Sequence, residues 1–380
     1  PNQAYGYVLR SPMAHAVIKH VDTAVALKAP GVLGVLTGSD LEETGANSIP
    51  CLVPLDNRDG TKAPLPVRPV LCTDRARHVG DNIAFVVAET FLQAKEAAEL
   101  IEVDYEAQDA AVETENALSE ASPQVHAEAV GNVAFDWAHG DDEVVTSAFN
   151  ASKHVVSLKL INNRLIVNSM ETRAAIGDFD PITGKATLHT CTQGGWLLKD
   201  QIANHTLKID PDLVRVLTPD VGGGFGMKSF YYPEQALCLW SARKFGRPIK
   251  WVGERSESFL SDTMGRDHVT NVELAFDAEY RIAGMRVDTV ANMGAYLSNF
   301  APFIPTLAAI KVMPGVYDIK TLYARVRGVF THTVPVDAYR GAGRPESIYM
   351  IERLMDKAAK ELRIDRVELR RKNFISSKAM

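Results

Sequence analysis

The most informative stretch of the sequence is Val221-Gly222-Gly223-Gly224-Phe225-Gly226-Met227-Lys228, which follows a strand-like segment at residues 213–217. Because glycine has no side chain, the backbone N–H groups of such a loop can approach a ligand closely and surround an anion. A tight turn between sheet layers is the alternative interpretation. The glycine cluster alone does not distinguish the two.

Two nucleotide-binding motifs can be tested against this stretch. A Walker loop has glycine directly before its lysine, and a dinucleotide-binding fingerprint that starts at Gly222 has glycine at position 227. Met227 occupies that position and fits neither motif. The sequence therefore disfavours a nucleotide-binding protein.

Two further loops carry hydrogen-bond donors. Gln193 follows a strand-like segment and precedes Gly194, and its amide can donate two hydrogen bonds. Residues 338–344, Ala-Tyr-Arg-Gly-Ala-Gly-Arg, precede a predicted helix, whose N-terminus favours an anionic or oxo ligand. Taken singly, such features are more often structural than functional. Glu254 also suggests a catalytic carboxylate, but the mixed charges around it indicate an exposed, ion-paired turn.

Composition and charge exclude several classes of protein. The chain has 380 residues, 46% hydrophobic and 23% charged, which is typical of globular domains and not of disordered, collagen-like or coiled-coil chains. Its 41 basic and 47 acidic residues are interspersed and leave a net charge of −6, which favours a small organic ligand over nucleic acid or an anionic membrane. No apolar run approaches the ~18 residues of a membrane span.

Cysteine spacing narrows the chemistry further. The four cysteines are Cys51, Cys72, Cys191 and Cys238. They form no Cys-x-x-Cys pair, so the sequence predicts neither a disulfide framework nor an iron–sulfur or zinc site. A reducing compartment suits such a chain, and we expect a cytoplasmic protein.

Hydrophobic periodicity predicts an α+β chain made of two units. In residues 1–108, a strand at 82–87 leads into a helix at 91–101 with one apolar face. Residues 109–134 are acidic, rich in alanine and aperiodic, and we interpret them as a surface linker. Residues 135–380 then alternate strands and helices in the second unit.

The second unit contains the clearest local signals. A hairpin is predicted between residues 269–276 and 281–290. One helix has Pro233 in its first turn and Gly246 beyond its end. Another begins at Pro345, and the side chains that we expect to face inward are Ile348, Ile351, Met355, Ala358 and Leu362, with Asp365 capping a final short helix.

In their order and spacing these motifs resemble one family closely, the molybdopterin-binding large subunits of the xanthine dehydrogenase, aldehyde oxidase and carbon monoxide dehydrogenase family. The matching motifs are Thr192-Gln193-Gly194, Gly222–Gly226, Arg255–His268, Gly294-Ala295-Tyr296 and residues 338–344. The resemblance covers nearly the whole chain. It implies an α/β hammerhead domain over residues 1–108 and the first molybdenum-cofactor-binding domain over residues 135–380.

The resemblance also implies roles for individual residues. Gln193 would donate a hydrogen bond to an oxo group on molybdenum, and Arg340 would lie beside the metal at the substrate end, so these two are the expected catalytic residues. The backbone at Gly224, Phe225 and Gly226 would bind the cofactor and face the metal's ligands. Gln193, Phe225 and Arg340 would neighbour molybdenum without ligating it, because the dithiolene of the cofactor does so.

Departures from the family pattern narrow the range of substrates that we expect. Carbon monoxide dehydrogenase proper has a copper-holding cysteine directly after the loop arginine, where this chain has Gly341. Purine-oxidising relatives carry a glutamate and a phenylalanine where this chain has Ser229 and Ala342, which we expect to line the substrate pocket. These differences disfavour carbon monoxide and xanthine as substrates.

The resemblance further implies a cofactor and partners. The protein would bind molybdopterin, in its simple or its cytosine dinucleotide form. The complete enzyme would hydroxylate an N-heterocycle or an aldehyde oxidatively, with water as the oxygen source. A [2Fe-2S] subunit and an FAD subunit would accept the electrons, because this chain has no cysteine spacing for such a cluster and no dinucleotide fingerprint.

Length is the largest departure from the family. Its large subunits are roughly twice as long, and their second cofactor domain supplies further pterin contacts and a glutamate general base. We expect that domain to be absent from these residues, either as a separate chain or as a removed C-terminal part, and the chain alone to be inactive. The alternative is a non-catalytic fragment or scaffold that binds cofactor or partner subunits without turnover.

Overall fold

The computed structural model describes residues 2–378, and in this range three β-sheets pack against eight α-helices. The strands are β1 (Ala4–Arg10), β2 (Ala16–Asp22), β3 (Val32–Thr37), β4 (Arg75–Ala76), β5 (Asn82–Ala88), β6 (Glu102–Ala107), β7 (Val133–His139), β8 (His154–Asn162), β9 (Ala174–Phe179), β10 (Ala186–Thr190), β11 (Val214–Leu217), β12 (Ile249–Val252), β13 (His268–Phe276), β14 (Ile282–Gly294) and β15 (Leu322–Phe330). The helices are α1 (Gly38–Glu42), α2 (Phe91–Ala98), α3 (Asp142–Ala151), α4 (Gly195–Gln201), α5 (Pro233–Phe245), α6 (Arg255–Ser261), α7 (Arg344–Leu362) and α8 (Arg366–Asn373). The predicted α+β class is confirmed.

The largest sheet has seven strands in the order β11-β10-β9-β12-β1-β5-β3. Strand β5 is buried along its whole length because both of its faces are covered. Its even-numbered residues, such as Val86, pack with α2, and its odd-numbered residues, such as Phe85, pack in the same core as α5. Strand β1 pairs in parallel with β12, with Ala4 opposite Ile249, so this sheet joins the beginning of the chain to the second predicted unit.

The second sheet has five strands in the order β7-β15-β14-β13-β8, and α7 packs against it. The predicted hairpin is confirmed, since β13 and β14 pair antiparallel. Ile351, Met355 and Ala358 of α7 are buried as predicted. Ile348 is instead 44% exposed, so its predicted inward position is wrong. It lies toward the margin of the buried face, whose centre follows Leu354 and Ala358.

Residues 109–134 are not the surface linker that their composition suggests. The buried side chains of this segment are Ala111, Thr114, Ala117, Val125, His126, Ala129, Asn132 and Ala134. Several of them pack in one cluster with Phe135 and Phe330. The expectation is wrong because these eight side chains are buried in the folded chain, while the glutamates of the same segment face solvent.

Helix ends follow the chemistry of their terminal residues. Helix α5 begins at Pro233 and ends at Gly246, whose φ of 66° lies in the left-handed region that glycine adopts without cost. Asp365 caps α8 by accepting hydrogen bonds from the N–H groups of Val367 and Glu368. Helix α2 ends at Ala98, before the predicted limit.

Two further observations complete the fold. All four cysteines are free thiols, as their spacing predicts. Within residues 2–378, no helix combines the length and the apolar character that crossing a bilayer requires.

Candidate functional site

Four loops meet beside the large sheet. Strands β10 and β11 are parallel neighbours, so the loops that follow them leave the sheet at the same edge. The loop that contains Gln193 follows β10, and the glycine loop, defined as residues 222–228, follows β11. Hydrogen bonds connect these two loops to residues 168–173 and to the arginine loop, defined as residues 338–344.

The amide of Gln193 has one defined orientation. Its Oε1 accepts a hydrogen bond from the N–H of Gly226 at 2.9 Å. Its own backbone N–H donates to the carbonyl of Lys228 at 3.0 Å. Because the amide oxygen faces an N–H donor, the Nε2 group points away from it, and within residues 2–378 it makes no hydrogen bond to protein. Gln193 is exposed, so two N–H bonds are available to a ligand.

The glycine loop leaves no room for side chains at its contact with Gln193. A Cβ atom on Gly224 would lie 2.4 Å from Gln193 Oε1. Phe225 adopts a φ of 52°, an uncommon conformation for an aromatic residue, and its side chain is 46% exposed. Among the described residues, the N–H groups of Gly223, Gly224 and Phe225 have no acceptor. The loop therefore contains three successive unpaired donors.

The arginine loop packs directly on the glycine loop. The N–H of Arg340 donates to the carbonyl of Phe225 at 2.8 Å, and the exposed guanidinium of Arg340 lies 6.0 Å from the centre of the Phe225 ring. Arg266 holds this loop from beneath, donating to the carbonyls of Tyr339 at 2.7 Å and Arg340 at 2.9 Å. The same guanidinium pairs with buried Glu346, in the first turn of α7, at 3.0 Å.

A buried carboxylate anchors the start of the arginine loop. Asp337 is 1% exposed and accepts hydrogen bonds from the N–H groups of Phe300 and Ala338. Burial raises the pKa of its carboxyl group to about 6, despite those hydrogen bonds. Asp337 thus ties the loop to the neighbouring segment around Phe300.

An ion pair that the motifs did not suggest joins two of these loops, the glycine loop and residues 168–173. Lys228 Nζ donates to Glu171 Oε2 at 2.7 Å, and the N–H of Gly222 donates to the same oxygen at 2.8 Å. The lysine side chain is fully buried. Both residues stand in recognisable motifs, but their pairing spans a separation of 57 residues that no local pattern reveals. The contacts of Arg266 escape sequence reasoning for the same reason.

Three candidate residues remain to be placed, Ser229, Ala342 and Glu254. Ser229 directly follows the glycine loop and donates from its N–H to the carbonyl of Gly226. Ala342 is 9% exposed, so it lies mostly beneath the surface of the arginine loop. Glu254 pairs with Lys95 at 2.8 Å at the start of α6, which confirms the ion-paired turn.

The geometry suits an electron-rich, oxygen-bearing ligand. The Nε2 group of Gln193, the free N–H groups of the glycine loop and the guanidinium of Arg340 are all hydrogen-bond donors. The structure thus brings the loops of Gln193, Gly224, Phe225, Gly226 and Arg340 together at one exposed site.

Comparison with known proteins places the chain in a family. A family model described as "Molybdopterin cofactor-binding domain" matches residues 125–374. A second, described as "Aldehyde oxidase and xanthine dehydrogenase, a/b hammerhead domain", matches residues 1–109. Together these two matches leave only a short central segment and the C-terminal end of the chain unmatched.

Individual relatives agree with these matches. The carbon monoxide dehydrogenase large chain of Hydrogenophaga pseudoflava is 30% identical over 99% of this chain and 47% of its own length. The nicotine 6-hydroxylase large subunit of Paenarthrobacter nicotinovorans is 30% identical over 98% of this chain and 45% of its own. The crystal structure of quinoline 2-oxidoreductase from Pseudomonas putida 86 superposes with a TM-score of 0.92 at 30% identity, covering 100% of this chain and 47% of that one.

The chain therefore spans about half the length of the relatives that it matches. Within that half, the hammerhead region, the cofactor-binding region and the architecture of both agree with the family. This agreement shows that the chain belongs to the xanthine dehydrogenase and aldehyde oxidase family of molybdopterin-binding oxidoreductases.

Proposed function

We propose that the complete enzyme hydroxylates an N-heterocycle or an aldehyde oxidatively, with water as the oxygen source. One observation carries the proposal: the amide of Gln193 is held by Gly226 so that its Nε2 group is free beside the unpaired N–H groups of residues 223–225. Such donors stabilise negative charge on oxygen. They are already oriented before a ligand binds, so binding does not have to reorganise them.

The residues present fit the molybdenum cofactor. An oxo-bearing centre needs hydrogen-bond donors at close range, and the glycine loop offers backbone N–H donors. The loop can pack this closely on Gln193 because Gly224 has no Cβ atom, which would collide with the Gln193 side chain. Gln193 and residues 224–226 would hold the cofactor on this side. When bound, the cofactor supplies the two-electron oxidation and the transfer of oxygen that amino-acid side chains alone cannot perform.

The chain's own residues then have distinct tasks. Gln193 donates a hydrogen bond to an electron-rich oxygen, and Arg340 places a positive charge at the substrate end of the site. Ser229 and Ala342 shape the substrate pocket, where their small size suits a ring or carbonyl compound other than xanthine. The absence of cysteine after Arg340 argues against carbon monoxide as the substrate.

The remaining parts of the enzyme lie outside these residues. A segment corresponding to the rest of the relatives supplies the other cofactor contacts and the general base, and a [2Fe-2S] subunit and an FAD subunit carry the electrons onward. We place the assembly in the cytoplasm, where free cysteines such as those of this chain persist.

The test uses the full-length protein purified with its partner subunits. Molybdenum and pterin are quantified, and turnover is assayed against a panel of aldehydes and N-heterocycles with an artificial electron acceptor. Stoichiometric cofactor with turnover supports the proposal, and the 380 residues alone should be inactive in the same assay. Cofactor without turnover of any compound would favour a non-catalytic scaffold, and a protein free of molybdenum would contradict the proposal.

A further inference from the structure

A single carboxylate oxygen contacts both ends of the glycine loop. Glu171 Oε2 accepts hydrogen bonds from the N–H of Gly222, where the loop begins, and from Nζ of Lys228, where it ends. The backbone adds a third contact, since the N–H of Glu171 donates to the carbonyl of Gly222 at 3.0 Å. The loop is thus closed by one side chain that lies outside it.

Lys228 connects this closure to the candidate catalytic amide. Its carbonyl accepts hydrogen bonds from the N–H of Gln193 and from the hydroxyl of Thr192, each at 3.0 Å. A displacement of Lys228 therefore moves the backbone of Gln193 as well. The free donors at residues 223–225 lie between the two anchored ends.

Burial makes the pairing obligatory. The side chain of Lys228 is fully buried, and among the described residues Glu171 is the acceptor for its ammonium group. Burial favours the neutral form of Glu171, but the bonds from Lys228 and Gly222 outweigh it and leave the pKa of this carboxyl below its usual value. Glu171 is therefore charged at neutral pH. A buried ammonium that lost this partner would be destabilised strongly.

We infer that Glu171 and Lys228 are positioning residues, which clamp the two ends of the glycine loop so that residues 223–225 and Gln193 are presented to the cofactor; this inference rests on the proposed function. Lys228 is buried beneath the loop and does not reach the ligand face. Its effect passes through the backbone of the loop and through Gln193.

The test compares variants in the complete enzyme. The double variant Glu171→Gln/Lys228→Met removes both charges at once, so it avoids the uncompensated buried charge that Glu171→Gln alone would leave. The matched control is Lys62→Met, which breaks an exposed ion pair with Asp56 elsewhere on the surface. Three quantities are measured: amide hydrogen exchange of residues 221–229, molybdenum content per chain, and kcat and KM.

For the double variant we expect exchange in residues 221–229 to accelerate about tenfold or more, as for loss of a charge-assisted hydrogen bond. Molybdenum content and kcat should fall in parallel, while Lys62→Met matches the wild type. Wild-type exchange and wild-type molybdenum content in the double variant would overturn the inference, even if its thermal stability fell.

The proposed function and the clamp of Glu171 and Lys228 can each be contradicted without the other. A wild-type protein that bound neither molybdenum nor pterin would contradict the proposed function. Hydrogen exchange in that same protein would still report whether Glu171 and Lys228 clamp the loop, because the contacts involve this chain alone.

Discussion

At the scale of single residues, one backbone contact fixes the orientation of the Gln193 side chain. An amide can rotate by half a turn and exchange its oxygen for its nitrogen, but the N–H of Gly226 is a donor and can pair only with the oxygen. The nitrogen is left without a protein partner among the described residues, as are the N–H groups of residues 223–225. This orientation suits a ligand that accepts hydrogen bonds.

We predict that Gln193→Ala in the complete enzyme slows turnover while the fold persists. The variant loses a hydrogen bond to a charged centre, worth about 1.5–3 kcal/mol, so kcat/KM should fall by roughly ten- to a hundredfold. Steady-state kinetics, circular dichroism and metal analysis check this. The control is Gln108→Ala, at an exposed glutamine that directly follows β6. An unchanged rate with full cofactor content would show that Gln193 has only a structural role.

At the scale of elements, the arginine loop and α7 depend on one guanidinium. Arg266 donates to two loop carbonyls and also pairs with Glu346, so it fastens the loop to the first turn of the helix that follows. Both partners of the pair are largely buried. The position of Arg340 therefore depends on a residue in a distant part of the chain.

We predict that Arg266→Leu destabilises the protein by about 3–5 kcal/mol, because it leaves the carboxylate of Glu346 buried without a counter-charge. Denaturant unfolding of the full-length protein measures this free energy. Arg281→Leu, which removes an exposed arginine near α8, should change it by less than about 0.5 kcal/mol. A loss of similar size in both variants would mean that the pair with Glu346 contributes little. The double variant Arg266→Leu/Glu346→Gln should recover part of the loss.

At the scale of the whole molecule, a stacked pair of histidines joins the two halves of the chain. The rings of His15 and His332 lie 3.9 Å apart, centre to centre. His15 Nδ1 lies 2.6 Å from the carbonyl of Asp109, and His332 Nδ1 accepts from the N–H of Ala111 at 3.0 Å. Arg75 also donates to His15 Nε2. These partners require both rings to be neutral, and they hold residues 109–111 in place.

Because His332 and His126 are buried, we predict that the free energy of unfolding falls as the pH becomes acidic. Burial lowers the pKa of His332 to about 3 and that of His126 to about 4, whereas an unfolded histidine titrates near ~6.5. Below about pH 6.5 the unfolded chain therefore binds protons that the native state does not. The free energy of unfolding should fall by up to ~1.4 kcal/mol per pH unit for each such histidine as the pH drops from 6.5 toward 4.

Unfolding of the full-length protein between pH 7 and pH 5 tests this dependence. In the variant His332→Asn the side chain can still accept from the N–H of Ala111 but cannot titrate, so the slope should decrease. The variant His20→Asn, at an exposed position, serves as the control. An identical slope in the wild type and in His332→Asn would contradict the prediction.

The sequence alone was sufficient to predict those elements whose determining residues are neighbours in sequence. The hairpin of β13 and β14, the beginning of α5 at Pro233 and its end at Gly246, and the cap at Asp365 were all predicted from adjacent residues. The family and its fold also followed from motifs in a fixed order. For the hairpin and the helix ends, a short stretch contains both the signal and the structure that it specifies.

Tertiary structure decided everything that depends on distant partners. Composition suggested an exposed linker at 109–134, yet Val125, Ala129 and Ala134 are buried in one cluster with Phe330, which only the folded chain brings near. The pairing of β1 with β12 and the clamp of Glu171 on Lys228 likewise join residues that no periodicity relates. Local sequence specifies conformation over a few residues, whereas the free energy of burial and of ion pairing depends on which distant groups the topology brings together.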